Sequence, residues 1–226
     1  MPRRRKPARR TRRKRYRRRR RRRAGVPKGI LPNTRKVNMT YCDKDIWLNP
    51  GVGGQPANHV FRINSIYDTD FTALGHQPLG YDEMSALYGK YTVIGVKATY
   101  QFNSQDSSYS NVVGMGLSTT SAGVTNIENM VENGKCRWKL VPPASHSNNL
   151  GKDSLSLRIN PNKFLGVSHP MSEDTVQADT SSNPEQLCYL KLTCGPQTAD
   201  DAYGVRGVLK LDFTVIWSEP KTLTVS

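Results

Sequence analysis

Beyond residue 36 the apolar residues of this chain alternate with polar ones, and the period is two. In YTVIGVKATYQF (91 to 102), Ile94, Val96, Ala98, Tyr100 and Phe102 share one face while Lys97, Thr99 and Gln101 share the other, which is the pattern of a strand with one buried side. VLKLDFTVIW (208 to 217) repeats it with Leu209, Leu211, Phe213, Val215 and Trp217 inward. Six shorter runs show the same alternation or an enrichment in β-branched and aromatic residues: VNMTYCDKDIW, HVFRIN, NVVGMGLSTT, CRWKLV, LSLRIN and QLCYLKLTC. Clusters of Gly, Pro, Asn and Ser separate them, as turns require.

Two of the connecting segments read as short helices, 81 to 89 and 125 to 133, with Asp or Thr near the start and Gly near the end as caps. Residues 168 to 185 are too polar for a core and are expected to form an exposed loop. About eight antiparallel strands joined by long, uneven loops, with no βα alternation, predict an all-β chain: a single eight-stranded antiparallel jelly-roll sandwich. At 226 residues the chain can build such a core without metals or disulfides.

Charge divides the chain sharply. Residues 1 to 23 hold 17 basic residues and no acidic one: Arg3, Arg4, Arg5, Lys6, Arg9, Arg10, Arg12, Arg13, Lys14, Arg15, Arg17, Arg18, Arg19, Arg20, Arg21, Arg22 and Arg23. The rest of the chain holds 17 basic against 18 acidic residues and is nearly neutral. An Arg-rich stretch with so few apolar residues cannot offset its chain entropy and is expected to be disordered alone. Guanidinium groups bind phosphate oxygens in pairs and stack on bases, which points to nucleic acid as the polyanion, bound with steep salt dependence and little sequence preference. The same run can serve as a nuclear import address. AGVPKGILPNTRK (24 to 36) reads as a linker, and the β domain as residues 37 to 226. Lys97, Arg137, Lys139, Arg158, Lys191 and Lys210 fall on the outward parity of the predicted strands, so a sheet surface could add a thin basic layer, with solubility and edge protection as the plainer reading.

Catalytic motifs are missing. No H-E-x-x-H, P-loop or G-x-S-x-G is present, and GVSHP (166 to 170) lacks the closing Gly of the last. His59, His76, His146 and His169 are scattered without metal-ligand spacing, and Asp43 with Asp45 reads as solvated charge. The chain is expected to be no enzyme and to need no cofactor. Cys42, Cys136, Cys188 and Cys194 form no C-x-x-C pair; six residues of strand would hold the last two about 20 Å apart, so buried, reduced thiols are expected. No apolar run approaches the roughly 20 residues of a spanning helix, and the start lacks a signal-peptide core, so neither membrane insertion nor secretion is expected.

The segment FRINSIYDTDFTALGHQPLGYDEMSALYGKYTVIGVKATYQF (61 to 102) resembles the capsid proteins of circovirus-like, circular Rep-encoding single-stranded DNA viruses. The resemblance lies in F-R-x-N-S-x-Y-D, then G-H-Q-P-x-G, then an acidic and aromatic run, then Y-x-V-x-G-x-K leading into a long strand; the Arg-rich start and the closing strand VLKLDFTVIW agree in kind and order. It implies a jelly roll assembling as 60 copies into a T=1 icosahedral shell around a circular single-stranded DNA genome. It also implies a basic arm, Arg3 to Arg23, that binds that DNA and meets host nuclear import receptors, a protein found in virion and host nucleus, and loops that contact a host attachment receptor of unknown identity. Sixty such arms carry about 1,000 positive charges, enough for on the order of 1,000 phosphates. The coat protein of a small, satellite-like RNA virus, or a cellular basic nucleic-acid-binding protein, would share parts of this plan.

Overall fold

Among the described residues, strand pairing begins at Thr34 and ends at Pro220. The computed structural model describes residues 29–72, 74–146, 153–198 and 203–223. Residues 32–226 form one unit and residues 1–31 another, of which only 29–31 are described. All 17 basic arm positions therefore lie outside the described residues.

Among the described residues nine strands build two sheets: β1 (Thr34–Leu48), β2 (Ala57–Arg62), β3 (Tyr88–Ser104), β4 (Asn111–Ser118), β5 (Cys136–Val141), β6 (Asp153–Ile159), the two-residue β7 (Ala178–Asp179), β8 (Tyr189–Pro196) and β9 (Val205–Pro220). One sheet has the order β1-β9-β3-β6, with β7 added to β3; the other has the order β2-β8-β4-β5. The antiparallel pairs β1 with β9, β2 with β8, β3 with β6 and β4 with β5 nest like the two arms of one long hairpin. Cross-pairs of β3 with β9 and β4 with β8 roll that hairpin into a sandwich. This is the jelly roll that the alternation predicts, and all eight predicted strands are present.

The alternation works because the sheets face each other. Leu209, Leu211, Phe213, Val215 and Trp217 of β9 are all buried, as are Val96, Ala98, Tyr100 and Phe102 of β3. Trp217 sits among Tyr81 and Tyr91, with ring centroids 5.7 and 5.9 Å away in tilted contact, a geometry that aromatic quadrupoles favour. Ile94 departs from expectation. The register jumps from Val93 opposite Val215 to Gly95 opposite Thr214, so Ile94 is the extra residue of a bulge and leaves the inward set. A second irregularity in β1, between Asp43 and Ile46, lets Met39 and Tyr41 before it and Ile46 and Leu48 after it all face the core.

The helices are short and serve the loops. α1 (Tyr81–Leu87) follows Gly80 in the left-handed region (φ 85°) and runs directly into β3, so neither an Asp nor a Gly caps it as expected. In α2 (Ile127–Glu132) the cap is Asn126, which accepts from the Glu128 amide at 2.8 Å, rather than Thr125. A four-residue helix unforeseen from the sequence, α3 (Pro161–Phe164), starts with Pro after Asn160, whose side chain accepts from the Lys163 amide. The polar segment 168 to 185 is only half exposed: it buries Val176, Ala178 and Pro184 and pairs β7 with Lys90 and Tyr91. Among the cysteines, Cys188 and Cys194 are buried, and burial pushes each thiol up to about 12. Cys42 is exposed and Cys136 half-buried, against the expectation for all four.

Asp106 ties the β3–β4 turn to the start of β9. Its carboxylate accepts from the amides of Ser108 (2.7 Å), Tyr109 (2.8 Å) and Tyr203 (2.9 Å). Burial would raise its pKa, but these three donors outweigh that and hold it below its ordinary value of 3.8. A depressed carboxylate stabilises the fold above pH 3.8 and loses that contribution as pH falls through the lower folded value. Asp106→Ala should cost about 1–3 kcal/mol at pH 7 in urea unfolding. The wild-type advantage over this variant should shrink below pH 4.

Candidate nucleic-acid interface

The middle of the first sheet's outer face is mainly polar, with exposed Trp47 and Val208 toward one end. Hydrogen-bond register aligns Thr40 on β1, Asp212 on β9, Lys97 on β3 and Arg158 on β6 in one row across all four strands. The next row is Cys42, Lys210, Thr99 and Ser156. Lys210 Nζ pairs with Asp212 Oδ1 at 2.9 Å, and Thr40 donates to the same oxygen at 2.9 Å. Burial would raise the Asp212 pKa, yet Lys210, Thr40 and Lys97 together hold it below its usual value. Among the described residues Lys97 and Arg158 form no ion pair, and both are exposed. A groove of about 540 Å³ runs between them, floored by Gly95 and edged by Asn38 and Thr214. Such a surface offers cations, hydroxyls and amides together, the groups that meet phosphate and sugar.

The other three basic strand positions do not join it. Lys191 lies on the outer face of the second sheet, but the β4–β5 connection covers it, leaving it 8% exposed. Desolvation there lowers its pKa. The cover is possible because β4 presents Gly114 outward: a Cβ there would lie only 1.7 Å from Met130 Cε of α2. Arg137 and Lys139 stand opposite Met115 and Val113, which are buried. They therefore have the inward parity of edge strand β5, a correction to the outward reading; Arg137 is nonetheless exposed at that edge, and Trp138 and Leu140 are exposed on the opposite parity. Lys139 reaches the buried carboxylate of Asp153 on β6 and pairs with it. The six positions thus divide: Lys97, Arg158 and Lys210 share a sheet face, whereas Arg137, Lys139 and Lys191 lie elsewhere.

The motif block from 61 to 80 forms a corner between the sheets. Arg62 donates to Asp68 Oδ2 at 2.7 Å and lies 4.7 Å from the Phe71 ring centre. Asn64 donates to the Gln186 carbonyl (2.7 Å) and accepts from the Cys188 amide (2.8 Å), while Ser65 joins Asn183 and the Tyr91 hydroxyl. Gly75 passes so close that a Cβ would come within 2.8 Å of both the Asp70 Cβ and the Tyr41 hydroxyl. The His76 ring stacks on Tyr41 at 4.7 Å, and Gln77 donates to the Tyr67 carbonyl at 3.1 Å. These residues fasten the loop to both sheets. The same corner brings together groups that the sequence scattered: His59 Nε2 lies 3.1 Å from Asp70, and Asp43 is close to both. Arg206, which sequence reasoning passed over, grips Asp45 through two nitrogens, and that bond is the main reason the Asp45 pKa is lowered.

The division of the basic residues can be checked by stability. Lys139→Met leaves the Asp153 carboxylate buried without its partner and should lower the unfolding free energy by about 1–3 kcal/mol. Lys97→Met, on the open face, should change it by less than about 0.5 kcal/mol. Urea denaturation of the two variants distinguishes them.

No family model matches the chain, and no curated protein matches it. Solved structures of similar shape include Desmodium yellow mottle tymovirus (11% identity, 90% of this chain and 98% of that one, TM-score 0.45). Others are a virus-like particle of the Macrobrachium rosenbergii nodavirus (9% identity, 90% and 92%, TM-score 0.49) and the decameric BFDV capsid protein (12% identity, 81% and 99%, TM-score 0.46). At these values the likeness adds nothing to the fold assignment, which rests on the strand order.

Proposed function

We propose that this chain is a viral capsid protein whose jelly-roll body closes into a T=1 shell of 60 copies and whose Arg-rich arm, Arg3 to Arg23, gathers a circular single-stranded DNA genome inside it. The observation that carries the reading is the partition of charge: 17 basic residues and no acidic one precede a body that is nearly neutral. A neutral body can meet copies of itself side by side without the repulsion that a uniformly basic chain would suffer. Sequence-blind attraction to phosphate suits a protein that must collect a whole genome rather than find one site.

The arm leads into β1, the edge strand of the sheet whose outer face carries Lys97, Arg158 and Lys210. In this reading that face looks inward at the genome and supplements the arm. The arm also serves as the nuclear localisation signal, recognised by host import receptors, so that assembly takes place in the host nucleus. The long loops are left for the host attachment receptor. The segment 61 to 102 supports the circovirus-like assignment in particular, since the blocks that resemble that family are the ones that build the corner between the sheets.

Electron microscopy with nuclease digestion tests the reading. The full chain should form shells holding DNA that resists nuclease, and its contents should yield to DNase rather than RNase after disruption. A chain lacking residues 1 to 23 should form shells that protect little or no DNA; loss of shells, or unchanged protection, contradicts the division of labour. In filter binding, replacing Lys97, Arg158 and Lys210 together by Gln should reduce the slope of log affinity against log salt by about 2, on the single-strand scale of roughly 0.7 per phosphate contact. An unchanged slope removes the sheet face from the interface.

A further inference from the structure

The corner between the sheets holds three potential metal donors that no structural demand explains as a set. Asp43 comes from β1 in one sheet, His59 from β2 in the other, and Asp70 from the loop after β2. One donor atom from each lies within 4.8 Å of the other two. We propose that Asp43, His59 and Asp70 form a binding site for a divalent transition-metal ion of the zinc type, clamping the two sheets together at this corner.

Each donor is held in place by something else. Asp70 is 4% exposed; a bridge to Phe61 fixes its backbone, and the Thr72 amide and hydroxyl both donate to its Oδ1 at 2.9 Å. The His59 ring lies stacked on Phe61 at 4.6 Å, with Nε2 directed at the Asp70 carboxylate. Asp43 Oδ1 accepts from the Asp45 amide at 3.0 Å, which orients the group. Phe61, Thr72 and the Asp45 amide thus orient the three groups as outer contacts orient metal ligands, and an ion would replace the direct His59–Asp70 contact.

Charge argues the same way. Two carboxylates face a single imidazole, so the cluster is negative whether or not His59 is protonated. Among the described residues no Lys or Arg side chain pairs with either carboxylate: Arg62 bonds the Asp70 carbonyl, and Lys44 lines the groove without an ion pair. A histidine–aspartate pair alone accounts for His59 and Asp70 but not for the third donor, Asp43, and a divalent cation would neutralise the negative charge that the three groups carry together. One nitrogen and two oxygens suit zinc or cobalt, whereas calcium and magnesium favour oxygen alone. Donors on one tetrahedral zinc lie roughly 3.4 Å apart, so side-chain movement of about 1 Å closes the triad. The cluster opens on a groove of about 590 Å³ that also touches Tyr41 and His76, which leaves the fourth position to solvent or a further ligand.

The test is a titration of the full chain with Co²⁺, read by visible absorption and equilibrium dialysis. One Co²⁺ should bind per chain, with d–d bands of low coordination number, no thiolate charge-transfer band, and displacement by Zn²⁺. Asp43→Asn, at a half-exposed position, should weaken binding at least about tenfold while leaving the circular dichroism spectrum unchanged. Cys42→Ser and His76→Ala should bind as wild type. Zn²⁺ should raise the thermal midpoint of the wild type and not that of Asp43→Asn. Absence of saturable binding by the wild type, undiminished binding by Asp43→Asn, or loss of binding in Cys42→Ser overturns the proposal. His59→Ala should also lose the site, but if it fails to fold, Asp43→Asn decides alone. These outcomes do not depend on whether the chain forms shells or binds DNA.

Discussion

The register of β3 against β9 governs the rest of the molecule. These long strands pair from Tyr88 opposite Pro220 to Ser104 opposite Val205 at the middle of one sheet. Because side chains alternate with period two, that register simultaneously sends Tyr91, Tyr100, Phe102, Phe213 and Trp217 into the core and leaves Lys97, Lys210 and Asp212 outside. A slip of one residue would exchange the two sets and bury the charges. The bulge at Ile94 absorbs one residue and keeps the aromatic set on the inner side past Val93. Every other strand is placed relative to this pair: β1 and β6 extend its sheet on either side, and the β2-β8-β4-β5 sheet closes over its inner face.

What could be read from the sequence follows from that physics. Alternation identified eight strands because each contributes one buried side, and a buried side must repeat every second residue. Bulges left no such mark, so Ile94 was assigned to the wrong face. The sides of β5 were misjudged for a related reason. CRWKLV carries its largest apolar residues, Trp138 and Leu140, on the exposed parity, and pairing with buried Val113 and Met115 of β4 turns Arg137 and Lys139 inward. An edge strand takes its orientation from its neighbour rather than from its own composition. The Asp43, His59 and Asp70 cluster was invisible for another reason: its members lie far apart in sequence and meet only when two sheets and a loop converge. The short helix at Pro161 carried a local start signal, Asn160 followed by Pro, but only four residues follow it with no apolar period to draw attention, and the burial of Lys191 had no local signature.

The excess positive charge lies in residues 1 to 23, whereas the core among the described residues is built from a stretch whose net charge is close to zero. Within the body, Asp212, Asp153, Asp45 and Glu219 each hold a basic partner. Lys97 and Arg158, together with Lys36 on β1, remain on one open sheet face as cations without an acidic partner among the described residues. The proposed capsid role uses both parts, the arm for attraction and the sandwich for geometry.

The most direct measurement is the mass of what the full chain forms with circular single-stranded DNA, by analytical ultracentrifugation before and after nuclease. The account predicts one megadalton species with 60 chains and a DNA circle that survives digestion. A monomer or small oligomer that binds DNA but leaves it open to nuclease would contradict it.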